Sequence, residues 1–236
     1  VSSAASDVYK RQVYTLSDEG VWCNLYGGSE LDTEWMGNHI QLLQETDYPW
    51  DGAVSITLKE VPEKKSLSLF LRVPEWCTKA TLAVNDVPVT TDLKAGTYAE
   101  IKRIWKKGDR VAFVMGMEPV LLESHPLVEE TRNQVAVKRG PVVYCLESMD
   151  VEAGKRIDDI LIPADIKFSP VKTEIAGSRV TVLDGIAHSV DSDSWEGKLY
   201  RKVAENGDRI PIRLIPYYAW GNRGESEMTV WMLLER

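Results

Sequence analysis

Asn133-Gln134-Val135-Ala136-Val137-Lys138-Arg139-Gly140-Pro141-Val142-Val143-Tyr144-Cys145-Leu146-Glu147 is the stretch whose reading decides the fold. Val135 and Val137 point one way and Ala136 and Lys138 the other. After the break, Val142, Tyr144 and Leu146 share a face, so both flanks carry the two-residue period of a β-strand. Proline lacks a ladder donor and holds Gly140 out of the helical region, so the strand must bend, bulge or pass to another sheet there. We read the stretch as a hinge strand between two β-rich units.

The same alternation runs upstream. Val54, Ile56 and Leu58 alternate with Ser55, Thr57 and Lys59, and Leu67, Leu69, Leu71 and Val73 with Ser66, Ser68 and Arg72. Val21 to Tyr26 and Ile40 to Gln44 read as further strands, as do Tyr98 to Trp105 and Val111 to Met115 around the turn Lys106-Lys107-Gly108-Asp109. Asn85-Asp86 between Leu82-Val84 and Val87-Val89 is a hairpin signal. About eight short strands at even spacing predict a sandwich or jelly roll. Glu118 to Arg132, with Pro119, Pro126 and Glu129-Glu130, interrupts the pattern and is the expected crossing between units. Beyond it, Ile160 to Ile162, Ile166 to Phe168, Val180 to Leu183, Ile210 to Ile215 and Met228 to Leu234 read as strands. No amphipathic helix is evident. The expected fold is all-β, with two consecutive jelly-roll-like β-sandwich domains over residues 21–120 and 121–236. Residues 1–12 lack both an apolar core and periodicity, read as adapter sequence joined to a gene fragment, and are set aside. Residues 13–20 then read as the end of a helical domain.

A chain of 236 residues suits two domains, and 44% hydrophobic and 27% charged residues are ordinary for a folded soluble protein. The net charge of −8 argues against nucleic acid, which needs Lys and Arg to neutralise phosphates. No apolar run reaches the roughly 18 residues of a membrane span. Compartment stays undetermined. Cys23, Cys77 and Cys145 are far apart in apolar contexts, which predicts buried free thiols.

Catalytic motifs are absent from the pattern. Gly27-Gly28-Ser29-Glu30 ends a strand without the helix a nucleophile elbow requires. His39, His125 and His188 stand apart, so no metal ligand set is predicted from this chain. Asp191-Ser192-Asp193 hints at calcium, but Trp195 occupies a place where an oxygen ligand is wanted. Glu30, Glu34, Glu45, Asp47, Asp51, Glu123, Glu129 and Glu130 are abundant carboxylates. Glycoside hydrolysis needs two at a defined separation, which spacing alone does not supply. The aromatics are more informative. Tyr48-Pro49-Trp50-Asp51 puts two rings and an acid on one turn, making Tyr48, Trp50 and Asp51 candidate sugar contacts. Tyr217-Tyr218-Ala219-Trp220 ends another strand in the same way. The competing expectation is that such rings close the ends of the cores.

Taken together, these stretches resemble glycoside hydrolase family 127 (the DUF1680 group, which includes β-L-arabinofuranosidases). The resemblance is carried in order by Tyr14-Thr15, Gly20-Val21-Trp22-Cys23-Asn24-Leu25-Tyr26 and Ser29-Glu30-Leu31, then Thr46-Asp47-Tyr48-Pro49-Trp50-Asp51-Gly52. It continues through Leu69-Phe70-Leu71-Arg72-Val73-Pro74-Glu75-Trp76-Cys77, Ile101-Lys102-Arg103 with Trp105 and Gly108-Asp109-Arg110, and Asn133 to Glu147. It ends with Ile215-Pro216-Tyr217-Tyr218-Ala219-Trp220-Gly221-Asn222-Arg223-Gly224 and Met228-Thr229-Val230-Trp231.

The resemblance implies a retaining glycosidase whose active site lies in an N-terminal (α/α)6 barrel. There a zinc-bound cysteine thiolate would be the nucleophile and a glutamate the acid/base, with zinc lowering the thiol pKa. Those ligands sit on a Glu-x-Cys motif and an adjacent Cys-Cys pair, both upstream of this chain. Glu75-Trp76-Cys77 spells Glu-x-Cys, but in a β block that is no part of the family site. So no catalytic residue, metal ligand or cofactor is carried over, and zinc is expected in the catalytic domain. The expected partners are that helical domain, carbohydrate and a second copy in a homodimer, with neither nucleic acid nor membrane. Alternatives are an autonomous carbohydrate-binding module and a purely structural sandwich.

Overall fold

The structure, a computed structural model, describes residues 13–152, 154–190, 197–200, 202 and 207–235. The chain divides into a unit ending at Met117 and a unit beginning at Glu118. Among the described residues it is nearly all β, with no α-helix, and no helix is long and apolar enough to cross a membrane.

The first unit contains β1 (Tyr14–Leu16), β2 (Gly20–Cys23), β3 (Ser29–Trp35), β4 (Asn38–Thr46) and β5 (Ala53–Glu60). It continues with β6 (Ser66–Arg72), β7 (Ala80–Val84), β8 (Val87–Pro88), β9 (Tyr98–Ile104) and β10 (Arg110–Met115). One sheet runs β1-β2-β6-β9 and the other β3-β4-β5-β10-β7-β8. They share one core: Val21, Leu67, Leu69, Leu71 and Ile101 come from the first sheet, and Ile40, Leu42, Ile56, Leu58, Val111 and Phe113 from the second. On the other face of β6, Phe70 is kept from water by Trp22, the two rings stacked at 3.8 Å. Trp105 is fully buried and donates its indole N–H to the Leu67 carbonyl at 2.8 Å, as a buried indole should.

Asn85 and Asp86 both adopt positive φ, the requirement of the two-residue turn expected there, and Val84 pairs with Val87. Two features depart from expectation. Tyr14–Leu16 is not the end of a helix but an edge strand antiparallel to β2. β3 was not anticipated: its sequence, Ser-Glu-Leu-Asp-Thr-Glu-Trp, is largely polar because the strand is an edge with much of its surface in water.

The second unit contains β11 (Pro119–Leu122), β12 (Gln134–Arg139), β13 (Val142–Glu147), β14 (Ile160–Pro163) and β15 (Ser169–Ile175). After these come β16 (Ser178–Ser189), β17 (Arg209–Pro216), β18 (Met228–Thr229) and β19 (Met232–Glu235). The predicted second sandwich is corrected here. β12, β19, β14, β16, β17 and β13 pair in succession, and β13 returns to β12, which closes a six-stranded barrel. Val137, Tyr144, Leu146, Ile160, Ile162, Leu183, Ile212, Leu214 and Met232 fill it. The parallel pair β14–β19 makes the closure possible. β16 supports it by pairing with β15, β14 and β17 along its length. Closure removes the unpaired edges that a small open sheet would expose. Ile166–Phe168 is not a strand; Ile166 and Phe168 instead pack on the barrel core from a loop.

The opening stretch proves to be the β12–β13 hairpin, wholly inside the second unit, rather than a hinge between units. Arg139 pairs with Val142, leaving Gly140 and Pro141 as a two-residue turn. Gly140 has φ +55° and proline holds its own φ near about −65°. That order of signs belongs to a type II′ turn, which suits the twist of a hairpin.

Candidate functional site

The turn between β4 and β5 is held by its own polar groups. The Thr46 hydroxyl donates to the Ala53 carbonyl at 2.6 Å and accepts the Tyr48 N–H at 3.0 Å. The Trp50 and Asp51 amides both donate to the Asp47 carbonyl, and one Asp51 carboxylate oxygen accepts the Ala53 N–H at 2.9 Å. Gly52 anchors the turn to β10, accepting the Met115 N–H at 2.9 Å. A Cβ on Gly52 would fall 1.9 Å from the Met115 carbonyl oxygen, so glycine is required by contact alone.

Tyr48 turns inward. Its ring lies 5.9 Å from Tyr26 and 6.4 Å from Trp76, and Tyr26 in turn lies 5.8 Å from the core residue Phe113. Burial pushes the Tyr48 hydroxyl above its ordinary pKa. The structure therefore brings Tyr48, Trp50 and Asp51 onto one turn, with Tyr48 closing an end of the core and Trp50 and Asp51 half-buried. Glu30 lies on β3, where it accepts from Gln41 across the ladder, while Glu129 and Glu130 fall in a 3-10 turn. The acidic loop at Asp191-Ser192-Asp193 and Trp195 lies outside the described residues.

A second constellation forms at the end of β13. Glu147 is fully buried. Its carboxylate accepts from the Gly221 N–H at 2.8 Å, the Ser226 hydroxyl at 2.9 Å and the Arg223 Nε at 3.1 Å. Arg223 bridges onward to Asp150, its Nη1 lying 3.0 Å from Oδ1 and its Nη2 bonding both acids. Burial alone would raise the Glu147 carboxyl; the Gly221 amide, the Arg223 guanidinium and the Ser226 hydroxyl together hold it below the usual carboxylate range. Ser148 closes the clamp, donating its N–H to the Glu227 carbonyl and accepting the Glu227 N–H at its hydroxyl. With its oxygens this fully engaged, Glu147 acts as a structural anchor rather than a proton donor.

The zinc set that the resemblance implies does not fit these residues. Among the described residues no group of three or more His, Cys, Asp or Glu could hold a metal ion. Cys23, Cys77 and Cys145 are each buried and free, and burial raises every one of their pKa values, that of Cys145 to about 12. At neutral pH they are thiols, not thiolates.

Comparison with known proteins accounts for both halves of the chain. A family model described as the GH127 middle domain of β-L-arabinofuranosidase matches residues 20–117, and the glycoside hydrolase family 127 C-terminal domain matches residues 119–233. The chain belongs to glycoside hydrolase family 127.

Within family 127, the non-reducing end β-L-arabinofuranosidase of Bifidobacterium longum subsp. longum is 30% identical over 231 residues, spanning 94% of this chain and 34% of that protein. A solved glycoside hydrolase is 60% identical with a TM-score of 0.89, covering 95% of this chain and 37% of its own. The GH127 β-L-arabinofuranosidase from Geobacillus stearothermophilus T6 is 36% identical with a TM-score of 0.86, over 95% of this chain and 35% of its own. The chain thus spans about a third of the length of the relatives it matches.

The ordered sequence blocks identified the family 127 membership correctly. What they did not reveal is the clamp of Glu147, Asp150 and Arg223. Glu147 stood in the opening stretch as an acid ending an apolar strand, and that is the one local signal of a buried carboxylate needing partners. Its cation is 76 residues away.

Proposed function

We propose that this family 127 chain supplies the accessory β domains of a retaining β-L-arabinofuranosidase. In this role they pack against the helical catalytic barrel and support its active-site loops. The observation that carries the proposal is that the two matched models are the middle and C-terminal domains, in that order, over residues 20–117 and 119–233. The engaged Glu147 and the three protonated thiols are consistent with chemistry performed elsewhere in the parent protein, where zinc would be held. The first unit, with two sheets on one core, serves as the jelly-roll-like sandwich of the pair. The test is an assay of this chain with an aryl β-L-arabinofuranoside, with and without zinc. No turnover is expected, and zinc-dependent turnover would sink the proposal.

A second function, carbohydrate binding at Tyr48, Trp50 and Asp51, draws support from the half-buried Trp50 and Asp51 on one rigid turn. Calorimetric titration with arabino-oligosaccharides checks it. Heat that vanishes in Trp50→Ala supports binding there, and flat titrations of the unaltered chain refute it.

A further inference from the structure

The Glu147 clamp holds a loop that carries exposed aromatic rings. From Tyr217 to Glu227 the chain leaves β17 through a 3-10 turn, and Ala219 is the buried member of that turn. Tyr217, Tyr218 and Trp220 are exposed, Trp220 by 44%. Beneath them the loop is tied to a fully buried carboxylate through the Gly221 amide, Arg223 and Ser226. Side-chain ties of this strength leave the loop little freedom, so Trp220 is presented in one place rather than swept through solvent.

Beside Trp220 lies an open groove of about 810 Å³ within the second unit, lined by Ser148, Gly221, Gly224, Glu225 and Glu227 among others. Its glycine side is bare. Gly221 (φ +72°) has nothing within 4 Å of where a Cβ would stand, and Gly224 (φ +128°) has only the flexible end of Met149, at 3.9 Å. Both positive φ values also exclude most side chains from these positions. Glu225 and Glu227 are exposed at the rim.

We propose that this groove is a carbohydrate-binding site that takes a neutral oligosaccharide, with Trp220 as its stacking platform. The indole offers a flat apolar face to the C–H side of a sugar ring, while Glu225 and Glu227 accept hydrogen bonds from hydroxyls, which are donors. Backbone free of side chains allows the sugar to approach closely. The groove is shallow and open, so it suits one face of an extended sugar chain rather than an enclosed small ligand. The two carboxylates disfavour anionic occupants such as nucleic acid or acidic glycans. This site is separate from the turn at Tyr48–Asp51 and does not depend on the accessory-domain proposal, since binding requires no turnover.

The experiment is affinity electrophoresis of the chain in native gels containing soluble arabinan, xylan or β-glucan, followed by calorimetry with an oligosaccharide of whichever polymer retards it. Retardation is expected in at least one polymer. Trp220→Ala should weaken it at least about tenfold, the scale of losing a central aromatic contact, while Trp220→Phe keeps part of it. Glu227→Gln, which lies off the core, gives a second reading if Trp220→Ala lowers the melting temperature. No retardation by any polymer would overturn the proposal. So would undiminished binding in both variants, or a Trp220→Ala effect confined to self-association in sedimentation.

Discussion

Arg223→Ala tests the physical account of the clamp. The side chain is 24% exposed and shares its guanidinium between Glu147, which is fully buried, and Asp150, which is 10% exposed. Removing one partner of a buried ion pair costs about 3–5 kcal/mol, because the other charge is left uncompensated. The Gly221 amide and Ser226 hydroxyl still hold Glu147, which puts the expected loss near about 3 kcal/mol. With a urea slope of about 2 kcal/mol per molar, the unfolding midpoint of the second unit should fall by about 1.5 M at pH 7. Amide exchange at Tyr144–Leu146 reports that unit separately from the first.

The dependence on pH gives a sharper check. The Glu147 carboxyl is held below its ordinary value in the folded state, so its stabilisation is complete above the unfolded pKa of about 4.3 and is lost as pH falls through the folded one. The difference between Arg223→Ala and the unaltered chain should therefore shrink as the pH is lowered below about 4. A penalty under about 1 kcal/mol at pH 7, or one that stays constant down to pH 3, would refute the clamp as an electrostatic anchor.

Two other outcomes follow from packing. Gly52→Ala drives a Cβ into the Met115 carbonyl oxygen and should destabilise the first unit by about 2–3 kcal/mol, seen as an earlier urea midpoint; unchanged stability would show that the β4–β5 turn relaxes freely. Cys23, Cys77 and Cys145 are buried with raised pKa values, so a disulfide thiol reagent at pH 8 should label none of them in the folded chain and all three in urea. Rapid native labelling would disprove their burial.

The all-β character and the family were legible in the chain because both rest on local signals. Strand alternation at Leu67, Leu69 and Leu71 is set by which face meets the core, and Asn85-Asp86 carries its own turn chemistry. Tyr48, Trp50 and Asp51 could be placed on one turn from four consecutive residues. Only the tertiary structure decided what the Gly140-Pro141 break does. A glycine and a proline fix dihedral angles, but whether the strand beyond them folds back on its neighbour or crosses to another sheet depends on pairing partners far along the chain. The closed barrel depends on the parallel contact of β14 with β19, between segments about 70 residues apart. The same holds for Glu147: its sequence neighbours identify an acid at the end of an apolar strand, but the Arg223 that makes its burial tolerable arrives from a loop 76 residues on. Periodicity and turn propensity are local energies. Closure and charge compensation are long-range ones, and they exist only once the chain has folded.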